Sequence, residues 1–239
     1  MGFRCKQFSI DDTGCGMKVS TDALLLGSWA QPNDATNILD LGCGSGILTL
    51  MMLQKSVATA RVHAIDVDDG AVVQTQKNIA TSPWETKGKV EHVDAGLLVK
   101  PDCGYDFIIS NPPYFVEEKS DVNADMGRAR RLARHQQSFS YDDLFKVCQR
   151  IASDRARITV MYPHSLFKRV VKSALTYHWH LVGYQDVQSK PNTTPYLTLY
   201  EFSNIEMGSV SNKENVIIQD EVDYTSGFKH LCQDFYLRF

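Results

Sequence analysis

The sequence predicts an α/β fold, a mostly parallel sheet wrapped by helices on both faces, and three observations carry that reading. From about residue 37 onward, short apolar runs alternate with longer amphipathic ones, the order of strand and crossover helix. The first apolar run leads straight into a glycine-rich turn. Successive runs also end in Asp66, Asp94 and Asn111, so polar groups collect at the carboxyl ends of the expected strands, where open α/β sheets bind ligands.

Five runs read as buried strands: NILDL (37–41), RVHAID (61–66), KVEHVD (89–94), YDFIIS (105–110) and RARITVMY (155–162). Between them, 47–54 is apolar nearly all round, and 69–80 sets Ala71, Val72, Thr75 and Ile79 on one helical face. Ser140 reads as an N-cap, with Asp142 and Asp143 in the first turn where the helix dipole favours negative charge. A further helix is expected over 165–177. The rhythm then changes. Two strand-like runs, 180–188 and 195–202, are joined by the turn-bearing KPNTT as a hairpin. The polar stretch 204–215 reads as an exposed connection, followed by a short strand in ENVIIQD and an amphipathic helix over 227–237. Ahead of the first strand, Ser20 or Thr21 caps a helix that opens the apolar run ALLLGSWA. With no internal repeat or low-complexity segment, a single domain over residues 1–239 is the expectation.

Composition narrows the function classes. At 43% hydrophobic and 22% charged residues, the chain has the apolar content to build a full core. Its six cysteines (Cys5, Cys15, Cys43, Cys103, Cys148 and Cys232) are scattered with no C-x-x-C pair, so neither a metal site nor a disulfide framework is expected, and a reducing cytoplasm is. The start, MGFRCKQF, has no apolar core of signal-peptide length, and Lys6 stands where N-myristoylation needs Ser or Thr. No window reaches membrane-spanning length. A net charge of −3 neither favours nor excludes a polyanionic partner, because the placement of positive charge decides that.

The glycine-rich turn is DLGCGSG, residues 40–46. Gly42, Gly44 and Gly46 allow tight turning and close approach of a ligand to the loop around Cys43. Their G-x-G-x-G spacing differs from the G-x-G-x-x-G of dinucleotide enzymes. It favours S-adenosylmethionine, which carries no phosphate and needs room for an amino acid and a nucleoside. Asp40 then falls near the cofactor's ammonium end. Asp66, about 20 residues past the glycines, is placed to accept hydrogen bonds from ribose hydroxyls. Asp94 stands to accept one from the adenine amino group, with Val67 or Ala95 packing on the ring.

The stretch ISNPPYF (109–115) ends a buried strand on two prolines. Proline cannot donate to a ladder and restricts the residue before it, so Asn111 and Tyr114 stand on a stiff turn. In a doubly wound sheet that turn lies beside the glycine loop, facing the reactive end of the cofactor. An amine attached to a planar nitrogen ring is a poor nucleophile because its lone pair is delocalised. Two acceptors aimed at its hydrogens return that pair to nitrogen, and the Asn111 side-chain oxygen with the Pro112 carbonyl are suited to the task. Tyr114 would stack on the flipped base.

DLGCGSG, AIDVDD, VDAG and SNPPYF in this order resemble class I S-adenosylmethionine-dependent methyltransferases that modify amino groups. KQFSIDDTGCGMKVSTDALLLGSWA, QKNIATSPW and DFYLRF are further similar to the bacterial tRNA(Val) adenine-N6 methyltransferase family. The resemblance implies a Rossmann-like, seven-stranded, mostly parallel sheet whose last strand is antiparallel. It also implies S-adenosylmethionine as cofactor, and tRNA methylated at the adenine beside the anticodon. A cofactor loop at Asp40, Gly42, Gly44 and Gly46, a ribose acid at Asp66, an adenine contact at Asp94 and a target turn at Asn111 to Tyr114 follow by position. MKVSTDALLLG, with Lys18, Thr21 and Asp22, would cover the methionine end, making residues 1–36 an extension over the cofactor site. Related enzymes use the same turn on guanine N2 in rRNA or on a protein glutamine amide, which stand as alternatives. A separate helical domain, usual in the glutamine enzymes, has little room before residue 37.

Arg128, Arg130, Arg131 and Arg134 lie just past the turn in a stretch without acids, and are placed to clamp phosphates around a flipped nucleotide. A solvated loop accounts equally for their charge. Lys168, Arg169 and Lys172 read as a solvated helix face, His63 as packed inside its strand, and the aromatics of DFYLRF as core. A monomer in the cytoplasm is expected.

Overall fold

A computed structural model describes residues 2–13, 15, 18–113 and 139–239. The central strands are β3 (Asn37–Leu41), β4 (Arg61–Asp66), β5 (Gly88–His92), β6 (Tyr105–Ser110), β7 (Ala152–Pro163), β8 (His180–Gln188) and β9 (Leu197–Ser203). They follow two short paired strands, β1 (Phe3–Arg4) and β2 (Ser9–Ile10). Two more two-residue strands, β10 (Ser211–Asn212) and β11 (Val216–Ile217), lie against β8. The order across the main sheet is β10-β8-β9-β7-β6-β3-β4-β5. The pairings β3 with β4, β4 with β5, β3 with β6 and β6 with β7 are parallel, and β9 runs antiparallel between β7 and β8.

Side-chain alternation along the strands builds two cores. In β3, Ile38 enters one and Leu39 and Leu41 the other; in β6, Phe107 and Ile109 face opposite to Ile108. The first core is closed by α1 (Thr21–Trp29), α2 (Ile47–Lys55), α3 (Asp69–Ala80) and α6 (Ser226–Cys232). The second is closed by α4 (Tyr141–Ile151) and α5 (Phe167–Thr176). α2 is buried from Ile47 to Leu53, which accounts for its apolar character all round.

Several boundaries differ from the sequence expectation. β5 stops at His92: Val93 N–H makes the last ladder bond, to the Asp66 carbonyl, and Asp94 then caps a 3₁₀ turn over Ala95–Leu97 instead of ending the strand. β7 is longer, starting at Ala152. The connection over 204–215 contains β10, whose Ser211 and Asn212 align with Gly183 and Tyr184. β10 is thus an addition, whereas β11 is the short strand expected in ENVIIQD. The final helix ends at Cys232, five residues early, and the chain folds back so that Phe235 is buried and Tyr236 stacks on Phe239 at 4.8 Å.

Ser140 caps α4 in a reciprocal box: its Oγ accepts from Asp143 N–H at 3.2 Å, and the Asp143 carboxylate accepts from Ser140 N–H at 3.0 Å. Ser140→Ala is expected to cost about 1 kcal/mol. In a chain of this size that lowers the melting temperature by about 2–4 °C, measurable by calorimetry, and an unchanged value would show that the cap contributes nothing.

Candidate active site

The glycine loop is held from below by the neighbouring strand and helix. Gly42 and Cys43 N–H both donate to the Ile65 carbonyl at 2.9 Å, and Gly44 N–H donates to Asp66 Oδ2 at 2.9 Å. From α3, Thr75 Oγ1 donates to the Gly44 carbonyl and Asn78 Nδ2 to the Ser45 carbonyl, each at 2.8 Å. The three glycines have φ of +80°, +53° and +80°, in the left-handed region. A Cβ at Gly46 would sit 2.8 Å from Thr75 Cγ2, whereas one at Gly42 or Gly44 would meet no atom of the described residues within 4 Å. Gly46 answers to packing; Gly42 and Gly44 leave space open to a ligand.

The β3–β6 ladder pairs Asp40 with Ile109, so two residues further on Asn111 stands beside Gly42. Ser110 Oγ donates to the Leu41 carbonyl at 2.7 Å and locks the two strand ends together. Pro112 is buried and Pro113 exposed. The roof comes from the N-terminal segment and α1, where Ser20 Oγ caps the helix by accepting from Ala23 N–H at 3.1 Å. Together these elements enclose a cleft of about 620 Å³. Of the predicted residues it brings together Lys18, Asp22, Gly42, Cys43, Gly44, Asn111 and Pro112, and adds Ser20 and Ser45.

The others lie around it. Thr21, the first residue of α1, does not line the cleft, nor does Gly46 beneath the loop. Asp66 is half-buried; its Oδ1 accepts from Asp68 N–H and its Oδ2 from Gly44 N–H, both at 2.9 Å. A carboxylate offers about four acceptor sites, so both oxygens keep capacity for a ligand hydroxyl. Val67 is exposed, and Asp94, two residues past the Asp66 partner His92, is exposed with Oδ1 accepting from Gly96 N–H at 2.7 Å. Tyr114 and Arg128, Arg130, Arg131 and Arg134 lie outside the described residues.

Asp40 departs most from its expected setting. It shares the face of Ile38, toward α2, and is wholly enclosed below the cleft floor instead of lining it. Thr49 Oγ1 donates to Oδ2 at 2.5 Å, while Oδ1 meets no partner among the described residues. Burial is the main cause of a pKa raised to about 7; the Thr49 bond opposes the rise and the Asp66 charge adds to it. An acid whose folded pKa is raised stabilises the fold fully below its unfolded value, and that contribution is lost as pH rises to the folded value. Between about pH 4 and pH 7 the wild type should therefore lose stability relative to Asp40→Asn. Urea unfolding across that window tests it, and parallel pH curves would count against a buried titrating carboxyl.

Sequence reasoning missed the residues that hold the N-terminal segment. Asn78 Oδ1 accepts from Asp11 N–H at 3.0 Å and its Nδ2 donates to the Asp11 carbonyl at 2.8 Å, in addition to its bond to the loop. Asp12, buried, accepts from Val19 N–H at 3.1 Å, and its carbonyl accepts from Lys18 Nζ at 2.7 Å. The one available signal was spacing: Thr75 and Asn78, three apart, share a helix face.

Residues 12–134 match the family model described as Methyltransferase small domain. Over the whole length, the tRNA1(Val) (adenine(37)-N6)-methyltransferase of Bacteroides thetaiotaomicron is 34% identical, with 98% of this chain and 97% of that protein aligned. The enzyme of the same name from Aeromonas hydrophila is 33% identical over 99% and 98%. The chain belongs to the tRNA1(Val) (adenine(37)-N6)-methyltransferase family. In solved structures the methyltransferase fold recurs at low identity. A protein described as a predicted O-methyltransferase from Agrobacterium tumefaciens superposes with a TM-score of 0.68 at 15% identity, covering 89% of this chain and 95% of that one. The N-methyltransferase NodS from Bradyrhizobium japonicum, in complex with S-adenosyl-L-homocysteine, gives 0.53 at 15% identity over 78% and 85%. The methyltransferase's sheet is thus the class I arrangement, with its antiparallel strand at β9. Among its described residues no three His, Cys, Asp or Glu are grouped to hold a metal ion, and no helix is long and apolar enough to cross a membrane.

Proposed function

We propose that this chain methylates N6 of adenine 37 in tRNA(Val), using S-adenosylmethionine. The observation that carries the reading is the single cleft in which the glycine loop and the Asn111–Pro112 turn face each other. Bound there, S-adenosylmethionine supplies an electrophilic methyl on a sulfonium. The residues fit such a group. Gly42 and Gly44 leave open space above the loop, Asp66 retains acceptor capacity for ribose hydroxyls, and Val67 just past β4 with Asp94 and Ala95 in the 3₁₀ turn past β5 are placed for the adenine. Asp40, enclosed beneath the floor, adds negative potential toward an ammonium group only as it ionises, with its pKa raised to about 7.

The chain's own part in the reaction is alignment and polarisation. Asn111 Oδ1 and the Pro112 carbonyl accept the two hydrogens of the target amine and draw its lone pair out of the ring system. Because each proline bars the helical conformation at the residue before it, these acceptors are preorganised and need no rearrangement during reaction. The cationic amine formed by transfer is acidic and releases its proton without a strong base. Tyr114 supports the flipped base by stacking, and Arg128, Arg130, Arg131 and Arg134 hold the flanking phosphates.

Residues 1–36 act as an extension covering the cofactor, within one domain that works as a cytoplasmic monomer. The guanine N2 and glutamine alternatives lose ground to whole-length relatives named for adenine N6. Incubation with total bacterial RNA and labelled methyl donor, then digestion, should yield labelled N6-methyladenosine from tRNA. Label in N2-methylguanosine or in protein would refute the assignment.

A further inference from the structure

We infer that Tyr196 is a stacking platform for an unpaired nucleobase of the RNA, on the side of the cleft opposite the cofactor loop; this rests on the function proposed above. The sheet order dictates the geometry. The glycine loop, Asp66 and Asp94 follow β3, β4 and β5, so the cofactor occupies that half of the sheet's carboxyl edge. Asn111 follows β6, and the target then approaches over the remaining half, the end of β7 and the start of β9.

Tyr196 lies at that end. Its N–H donates to the Val187 carbonyl at 2.9 Å, and its carbonyl accepts from His164 N–H, just past β7, at 3.0 Å. Its phenol reaches across and donates to Asp22 Oδ1 at 2.8 Å, and Asp22 lines the same cleft as Asn111. Backbone and side chain are both pinned, yet the residue remains 39% exposed. A large aromatic held rigidly in solvent loses little entropy on stacking, and every base offers it a π face. Burial, then the Asp22 carboxylate, pushes the phenol's pKa up, so it stays a neutral donor and the ring stays in place.

The test is binding of a fluorescently labelled tRNA(Val) anticodon stem-loop in saturating S-adenosylhomocysteine, with methyl transfer measured separately. Tyr196→Ala should weaken RNA binding about 10-fold or more, the loss of one base–aromatic stack. Tyr196→Leu, which keeps bulk without a π face, should behave likewise. Tyr196→Phe, which loses the bond to Asp22 but keeps the ring, should stay within about threefold of wild type. S-adenosylhomocysteine affinity by calorimetry should be unchanged in all three. Wild-type RNA affinity in Tyr196→Ala and Tyr196→Leu would overturn the inference. So would an equal loss in Tyr196→Phe, or lost cofactor affinity, either of which reassigns the residue to holding α1. A wild type that binds the stem-loop but leaves its adenine unmethylated sinks the functional reading, while the three variants still decide the platform.

Discussion

Asn111→Ala is expected to lower turnover about 10²- to 10³-fold, the usual loss when one preorganised electrostatic contact to the reacting group is removed. Asn111 sits where the locked ends of β3 and β6 bring it next to Gly42, and Pro112 restricts its backbone. Truncation removes the side-chain acceptor while leaving the glycine loop, Asp66 and the cleft roof intact. Cofactor affinity should therefore change by less than about threefold, and the loss should appear in turnover more than in KM for tRNA. Single-turnover methyl transfer with calorimetric titration of S-adenosylhomocysteine separates the two effects. Near-wild-type turnover would remove Asn111 from the mechanism.

Asp66→Ala should act in the opposite sense, on the cofactor first. The carboxylate accepts from Gly44 N–H and Asp68 N–H, so it shapes the loop besides the ribose contact proposed for it. Hydrogen bonds to a charged group contribute about 1.5–3 kcal/mol each, and losing one ligand contact corresponds to about a 10- to 100-fold weaker S-adenosylhomocysteine complex. Asp66→Asn keeps one acceptor oxygen and should fall between. An unaltered dissociation constant in Asp66→Ala would place the ribose elsewhere.

Features carried by local chemistry were legible in the sequence. Glycines spaced for a tight turn, prolines ending a strand and acids closing apolar runs each state their geometry within a few residues, which is why Gly42, Gly44, Asp66 and Asn111 could be named. The mostly parallel sheet followed from alternation, and the antiparallel last strand, β9, was implied by the family resemblance and agreed with the expected hairpin. What stayed hidden depends on contacts distant in sequence. Tyr196 meets Asp22 across 174 residues, and Asn78 meets Asp11 across 67. The enclosure of Asp40 was concealed for a related reason. Strand periodicity says which face a side chain takes, but not whether the loop beyond it closes over the carboxylate. Asp94 was placed at a strand end by its apolar neighbours, although the backbone makes its last ladder bond at Val93 and turns away into the 3₁₀ turn that Asp94 caps.

The central claim is that the amide turn and the methyl donor meet in one cleft. A crystal structure with S-adenosylhomocysteine tests it most directly. The account predicts the sulfur above Gly42 and Gly44, facing Asn111 across a gap that admits a planar base. A sulfur on the far side of the loop, or one screened from Asn111 by protein, would contradict it.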